Sequence, residues 1–467
     1  MNSFFKKISG LRYFQTLIRH PGQGLAPPRA LALSFAALII LGALGLLTPG
    51  MATTDLAFVD ALFTSTSAVC VTGLVVLDTG RDFSLPGQLL ILALIQLGGL
   101  GIMTFSVLLY KIMGRQTSMR DELAVRDSLS FFPAQDFNAL VKTVFFWTFA
   151  IEGAGALLLF VFFQPALSTG QAAYAAVFHS ISAFCNAGFS LWTDSLTAFQ
   201  TNLGVNLVII TLITAGGLGF IVLAELGRFR SKNISRLSLH SLIVLSTSLA
   251  LVVVGTLAFL ALEWNNVLRS LPWNDKLIVS LFQAVTPRTA GFNTVDFNHL
   301  TNASILITIM LMFIGGSPGG AAGGVKTVAL AIILAMAVSR YRGFSKVNIF
   351  RRGVPDGAVS RGLTVVMVSL GVVLAALALV LTIQTGGNDH TQTRDAFIRL
   401  LFETVSAFGT VGLSMGATAE LTVWGKLVII GTMFLGRVGP LTVVLALTHR
   451  AGEGKAFNYG TEEIMVG

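Results

Sequence analysis

Charge is what this sequence of 467 residues has least of. Lys, Arg, Asp and Glu together make up 11% of it, against roughly 25% in soluble domains, so an ordinary wetted surface cannot be built around the chain. Acids are scarcer than bases, 22 against 31, and none precedes Asp55. Cys70 and Cys185 are the only cysteines, too few for a disulfide framework, and no Cys/His spacing of the metal-binding kind occurs. H-E-x-x-H, a Ser/His/Asp set and clustered intramembrane carboxylates are all missing, which argues against an enzyme. Nucleotide-binding patterns fail as well. Val325 separates Gly324 from Lys326 where a phosphate loop needs G-K, and Gly99-Leu100-Gly101 is followed by Thr104 where a dinucleotide fingerprint needs its last glycine. The chain's own residues are therefore expected to bind neither a nucleotide nor a nucleic acid.

Apolar residues are what the sequence has instead, at 54%, together with 48 glycines. Runs long enough for a hydrocarbon core of about 30 Å fall near 29–48, 87–110, 139–163, 203–227, 240–262, 303–338, 363–384 and 422–447. These eight runs predict an all-α polytopic membrane protein with eight transmembrane helices. The first run lacks a small-residue cleavage site and is expected to be retained. Between the members of each pair lie shorter apolar stretches at 60–70, 174–185, 277–287 and 396–408, which suit re-entrant segments better than spans. Lys and Arg gather in 1–30, 111–142, 228–236 and 340–361, whereas 49–86 holds Arg81 alone and 165–200 holds none. The positive-inside rule then puts both termini in the cytoplasm and lets the short stretches dip in from outside.

The four short stretches resemble one another. They run from Phe63 to Leu74 (FTSTSAVCVTGL), Phe178 to Phe189 (FHSISAFCNAGF), Phe282 to Phe292 (FQAVTPRTAGF) and Phe402 to Leu413 (FETVSAFGTVGL). Each carries a glycine at its end, Gly73, Gly188, Gly291 and Gly412, and each following span carries a small-residue cluster, QLGGLG, AGGLGF, IGGSPGG or LGRVGP. The chain thus divides into a cytoplasmic N-terminus (1–28), four tandem repeats (29–111, 139–228, 240–338 with a broken second helix, and 361–447) and a cytoplasmic tail (448–467). Two spans per repeat return the chain to its starting side, so all copies share one orientation. Four parallel span–pore loop–span units predict a pseudo-fourfold pore rather than an inverted-repeat transporter.

Non-helical backbone at membrane depth is tolerated where it lines a water-filled cavity, and a glycine there can turn its carbonyl toward the axis. Rings of such carbonyls replace a cation's hydration shell. The candidate filter comprises Cys70, Val71, Thr72 and Gly73; Cys185, Asn186, Ala187 and Gly188; Arg288, Thr289, Ala290 and Gly291; and Gly409, Thr410, Val411 and Gly412. The ion is placed at the four glycines. For one glycine alone, close helix packing is the simpler reading; four at equivalent positions favour the pore. Cys70 and Cys185 read as packing residues.

On these segments the chain resembles the Trk/Ktr/HKT superfamily of potassium uptake proteins over about 29–447. PRTAGFNT at 287–294, FLGRVGPLT at 434–442 and the short N-terminus make it most similar to the Ktr membrane subunits. The resemblance implies one filter glycine per repeat, potassium as the transported ion, and sodium-stimulated transport. Plant sodium-selective relatives have Ser in the first copy, where this chain has Gly73. It further implies a homodimer in a bacterial cytoplasmic membrane, resting on a cytosolic ring of Rossmann-type nucleotide-binding subunits. The basic loops 111–142 and 340–361 are candidate docking surfaces for that ring, or for lipid headgroups.

The stretch 315–324 reads GGSPGGAAGG, a density of Gly and Pro that cannot hold a helix. A simple kink or packing is one reading. An unwound gating loop is the other, comprising Gly315, Gly316, Ser317, Pro318, Gly319, Gly320, Gly323 and Gly324, with Lys326 beside it. Arg437 lies deep in the last span, where a charge is costly and usually functional; its expected partners are carbonyls of this loop. In the resembled family the loop and an Arg at this place close the pore from inside. His179 and Glu403 are candidate braces behind the filter, and Asp78, Asp82, Asp194 and Asp296 either concentrate cations outside it or are solvated loop charges. A channel-like uptake pore and an obligately coupled Na⁺/K⁺ symporter both fit this sequence.

Overall fold

A computed structural model of the chain describes residues 27–113, 137–230, 236–389, 391–439 and 442. The N-terminal basic segment, nearly all of the 111–142 loop and the tail from 448 lie outside the described residues. Within them the elements come in four successive sets of a long helix, a short helix and a second long helix. The first set is α1 (Pro27–Leu46), α2 (Phe58–Val69) and α3 (Leu85–Met113). The second is α4 (Phe137–Phe163), α5 (Thr169–Phe184) and a bent pair, α6 (Leu203–Leu218) and α7 (Phe220–Arg230). The third is α8 (Leu239–Glu263), α9 (Trp273–Val285) and the pair α10 (Asn302–Phe313) and α11 (Thr327–Tyr341). A small antiparallel hairpin, β1 (Asn348–Ile349) and β2 (Arg352–Gly353), leads to the fourth set, α12 (Asp356–Thr385), α13 (Ala396–Gly409) and α14 (Val423–Val438).

Sequence sets these boundaries locally. Each second helix starts on a hydroxyl or amide that accepts a first-turn N–H: Ser84 from Gly87, Asn202 from Val205, Thr301 from Ser304 and Thr422 from Gly425. Such caps satisfy donors that the helix itself cannot. Val144–Phe163, Leu239–Glu263 and Asp356–Thr385 are each long and apolar enough to cross a bilayer, and the α6/α7 pair makes a fourth such segment bent by 103°. Leu157, Leu249, Val254 and Met367 stand exposed on these outer helices, an apolar coat that water does not favour.

The short helices are buried instead. Phe63, Phe178, Phe282 and Phe402 are each 0% exposed, and around them the sets close on one another. The second helix of each set packs on the short helix of the next: α3 on α5, α6 on α9, α10 on α13, and α14 back on α2. Lys426 on α14 reaches Asp60 on α2 at 2.6 Å across this last seam.

One boundary differs from the sequence expectation. The run 203–227 reads as a single span, yet the helix breaks at Gly219, whose φ is +88°. The glycine-rich segment of another set sits against the bend: a Cβ on Gly219 would come 2.7 Å from Pro318 O. In the last set, too, the helix ends at a positive-φ glycine, Gly439 (φ +91°). The long run 303–338 is interrupted between α10 and α11, as its glycines suggest.

Candidate functional site

After each short helix the backbone repeats one conformation four times. Gly73, Gly188, Gly291 and Gly412 have φ between +71° and +92°, and the residues two before them, Val71, Asn186, Thr289 and Thr410, have φ between +50° and +72°. A left-handed Val or Thr is unusual, and its recurrence at four equivalent places marks a backbone shaped for something other than regular structure. The four glycines meet. A Cβ built on Gly73 would lie 3.1 Å from Gly188 Cα, one on Gly188 2.8 Å from Gly291 Cα, one on Gly291 3.2 Å from Gly412 Cα, and one on Gly412 3.0 Å from Gly73 Cα. Each glycine thus faces the next, and the fourth faces the first. The carbonyls of Thr72, Ala187, Ala290 and Val411 border the same square.

The strands are held from behind by a hydroxyl column that sequence reasoning passed over. Ser67 Oγ accepts from Gly73 N at 3.0 Å and Ser406 Oγ from Gly412 N at 3.1 Å. Ser182 Oγ donates to Phe189 O at 2.8 Å, and Thr286 Oγ1 donates to Phe292 O. All four lie four residues after the short-helix phenylalanine (67 − 63, 182 − 178, 286 − 282, 406 − 402), one column of the repeat. The suspected braces are part of a second column. His179 Nε2 sits 3.1 Å from Ser190 Oγ, Gln283 Nε2 donates to Thr294 Oγ1 at 3.0 Å, and Ser414 Oγ donates to Glu403 Oε1 at 2.5 Å. Each link spans 11 positions (190 − 179, 294 − 283, 414 − 403). Glu403 also accepts from Met415 N, Ala417 N and Thr418 Oγ1.

Side chains three before the glycines turn away from the square. Arg288 Nη2 donates to Ser248 Oγ on α8 at 3.0 Å. Cys185 Sγ lies 3.8 Å from both Gln96 Oε1 and Glu152 Oε1, and Cys70 is fully buried. Gly409 has no room for more: a Cβ there would be 2.5 Å from Met312 O. Outside the square, Asp78 Oδ1 accepts from Gly80 N and Arg81 N, Asp82 Oδ2 accepts from Asp78 N, and Asp296 Oδ1 accepts from Asn298 N. These three acids thus shape turns. Asp78 and Asp194 also border one outer cleft with Arg81 and Trp192.

Beneath the square lies the segment 314–326. It leaves α10 and returns beside it, with Gly315 N donating to Val325 O at 2.9 Å and Thr327 N to Gly316 O at 3.1 Å. Ser317 Oγ and Thr327 Oγ1 are 3.1 Å apart. The break at Gly219 frees carbonyls at the end of α6, and the segment uses them: Ser317 N donates to Gly217 O and Ala321 N to Gly216 O, both at 3.0 Å. Its top touches the square's base, since a Cβ on Gly323 would strike the Thr410 side chain. Lys326 Nζ donates to Ala322 O at 2.6 Å. Arg437, 4% exposed, donates from Nη1 to Ala321 O and from Nη2 to Gly98 O at 3.1 Å. One guanidinium therefore ties the segment of the third set to α3 of the first.

The cluster glycines have a different task. A Cβ on Gly98, Gly216 or Gly436 would strike Val69 O, Phe184 O or Phe408 O, the carbonyls at or near the end of each short helix. They allow close helix approach.

Residues 30–459 match the sequence profile of the TrkH family, described as cation transport proteins. The chain belongs to this family. As a TrkH-family member it is 40% identical over 444 residues to the Ktr system potassium uptake protein B of Bacillus subtilis, covering 94% of this chain and 97% of that one. It is 37% identical to the potassium/sodium uptake protein NtpJ of Enterococcus hirae, covering 95% and 98%. Ktr system potassium uptake protein B of Vibrio alginolyticus is 35% identical, covering 94% and 95%. Among solved structures, the potassium transporter TrkH from Vibrio parahaemolyticus superposes with a TM-score of 0.72 at 18% identity, over 92% of this chain and 87% of that one; it shares the fold.

Proposed function

We propose that this TrkH-family chain takes up potassium across a bacterial cytoplasmic membrane through a channel-like pore of four span–pore loop–span units, eight spans in all. The observation that carries the reading is the closed square of Gly73, Gly188, Gly291 and Gly412, with the preceding carbonyls beside it. Carbonyl oxygens at such a square substitute for the ion's water shell. The carboxy-terminal ends of α2, α5, α9 and α13 converge below it, and their partial negative charge favours cations over anions. Potassium is the proposed substrate because the relatives above are named for its uptake; the name of NtpJ supports a part for sodium, here as a stimulant of transport.

The segment 314–326 with Lys326 and Arg437 is the proposed gate. It lies across the base of the square, and two cationic side chains stand there with no acid among the described residues bonded to either. Both termini are assigned to the cytoplasm. The proposed assembly is a homodimer on a cytosolic ring of Rossmann-type nucleotide-binding subunits. The described part of the basic segment 340–361 supports a docking role: its hairpin tip presents Phe350 and Arg351, both exposed and both at positive φ.

The test is uptake in bacterial cells that lack their own potassium transport. The chain, expressed with its natural partners, restores growth at low potassium, and Gly73→Ser lowers the preference for potassium over sodium. An unchanged preference in Gly73→Ser would remove the filter assignment. Unitary currents in planar bilayers are expected of a channel-like pore; tight stoichiometric coupling of sodium to potassium flux would replace it with a symporter.

A further inference from the structure

One acid in the outer helices breaks the fourfold pattern. The second residue after the short-helix phenylalanine packs on the outer helix of its own set in equivalent ways. Ser65 Oγ donates to Ile39 O at 2.7 Å, and Ser180 Oγ donates to Glu152 O at 2.6 Å. The neighbouring helix glycines agree with this registration: Gly42 abuts Ser65, Gly155 abuts Ser180 and Gly255 abuts Ala284. Three positions before those glycines stand Ile39, Glu152 and Val252. Symmetry thus calls for an apolar side chain, and the second set places a carboxyl there.

That carboxyl is 4% exposed and lies 15 residues into a 27-residue apolar helix (152 − 137). An acid at such depth is expensive to keep and marks function by default. Among the described residues, no Lys or Arg is bonded to it. Gln96 Nε2 donates to Glu152 Oε1 at 3.1 Å and to Oε2 at 3.2 Å, while Cys185 Sγ stands 3.8 Å from Glu152 Oε1 and from Gln96 Oε1. The three side chains close a triangle. Its corners are α3 of the first set, α4 of the second, and the residue three before Gly188. Gly99 seats the sulfur: a Cβ there would be 2.8 Å from Cys185 Sγ.

We propose that Glu152 is a positioning residue for ion selection, setting the place of the second filter strand through Cys185 and coupling it to α3 through Gln96. The proposal rests on the filter reading above. Glu152 does not touch the glycine square; it acts through the strand that carries Gly188. The same turn of α3 also bears Gly98, whose carbonyl Arg437 holds, so the second strand and the proposed gate are referred to one piece of helix. Hydrogen bonding is the operative property here, since a carboxamide of the same shape keeps both an acceptor and a donor at the triangle.

The test measures competition between potassium and sodium for uptake by the full chain with its partners, in potassium-transport-deficient cells, with membrane abundance followed in parallel. Glu152→Leu is expected to lower the potassium preference about fivefold, the scale of one lost buried hydrogen bond. Glu152→Gln retains it within about twofold. Gln96→Leu reproduces the Glu152→Leu loss, and the double variant is no worse than either single one, as expected for members of one network. If Glu152→Leu fails to reach the membrane, Gln96→Leu breaks the same triangle from the other helix and carries the decision. Normal selectivity in whichever leucine variant reaches the membrane overturns the proposal, as does Glu152→Gln behaving like Glu152→Leu. Gly188→Ser is run alongside: its silence would condemn the filter reading itself, whereas its effect with silent leucine variants condemns only the role of Glu152.

Discussion

At the glycine square, single hydroxyls decide geometry. Ser406 Oγ is the acceptor for Gly412 N, and Ser67 Oγ is the acceptor for Gly73 N. Each holds a glycine amide, buried at Gly73 and part-buried at Gly412. Leaving a buried donor unsatisfied costs about 1–3 kcal/mol, and less where the donor is only part-buried. Ser406→Ala is therefore expected to keep the fold but loosen the fourth strand, raising sodium uptake relative to potassium; ratiometric flux in proteoliposomes measures it. These hydroxyls stand in plain view in the sequence, in a column of Ser, Ser, Thr and Ser. They go unnoticed because a lone Ser or Thr in a helix usually bonds its own backbone, and only the structure shows what each one holds. Glu152 was hidden for the opposite reason. A lone acid in an apolar run shows that something must receive it, but only packing reveals that Gln96, 56 positions earlier, does so.

Among elements, the alternation of long and short helices follows from length and hydropathy, and the interruption between α10 and α11 from its glycine density. The bend at Gly219 does not. The run 203–227 is continuously apolar, and a glycine costs a helix only about 1 kcal/mol, which an unobstructed span tolerates. Where it breaks, a segment about a hundred residues later takes up the carbonyls of Gly216 and Gly217. The proposed gate and the broken helix are thus joined across two sets, and Arg437 holds the segment from a third place. Arg437→Ala removes both clamping bonds and, with them, a buried cation; the expected outcome is higher potassium flux through assembled protein. Shortening 315–324 is expected to act in the same direction, read as radioactive rubidium uptake. Reduced transport in a well-assembled shortened chain would count against gating. Gly219→Ala forces a Cβ toward Pro318 O in an extended positive-φ backbone (φ +88°, ψ +144°) that is nearly glycine-only and costs other residues about 1–3 kcal/mol, and is expected to raise basal flux by disturbing the loop from below.

Across the molecule, four sets close into a ring, and three of its four seams carry a polar fastening. The first and second sets share the Gln96 triangle and a bond from Tyr174 Oη to Gln88 at 2.9 Å. The second and third share Leu196 N to Asn293 O at 3.0 Å. The fourth and first share the ion pair of Lys426 and Asp60, whose side chains are 15% and 20% exposed. Leaving one partner of a well-buried pair alone costs on the order of 3–5 kcal/mol; partial exposure lowers that figure here. Lys426→Met is expected to reduce thermal stability in detergent, and Asp60→Asn with Lys426→Met to recover part of it. A double variant no more stable than Lys426→Met would show that the pair does not fasten this seam.

The same pair joins residues 366 positions apart, and Arg437 reaches Gly98 across 339. A chain made from its amino end inserts its first set long before the helix that completes that set's outer flank exists. Through most of synthesis α2 must wait with an unpartnered acid on a surface later covered by α14. The protein is linear in manufacture and circular in its contacts, so the seam between the first and fourth sets can close only once α14 has arrived. Until then there is a half-closed intermediate whose open seam any lipid, chaperone or second chain can occupy.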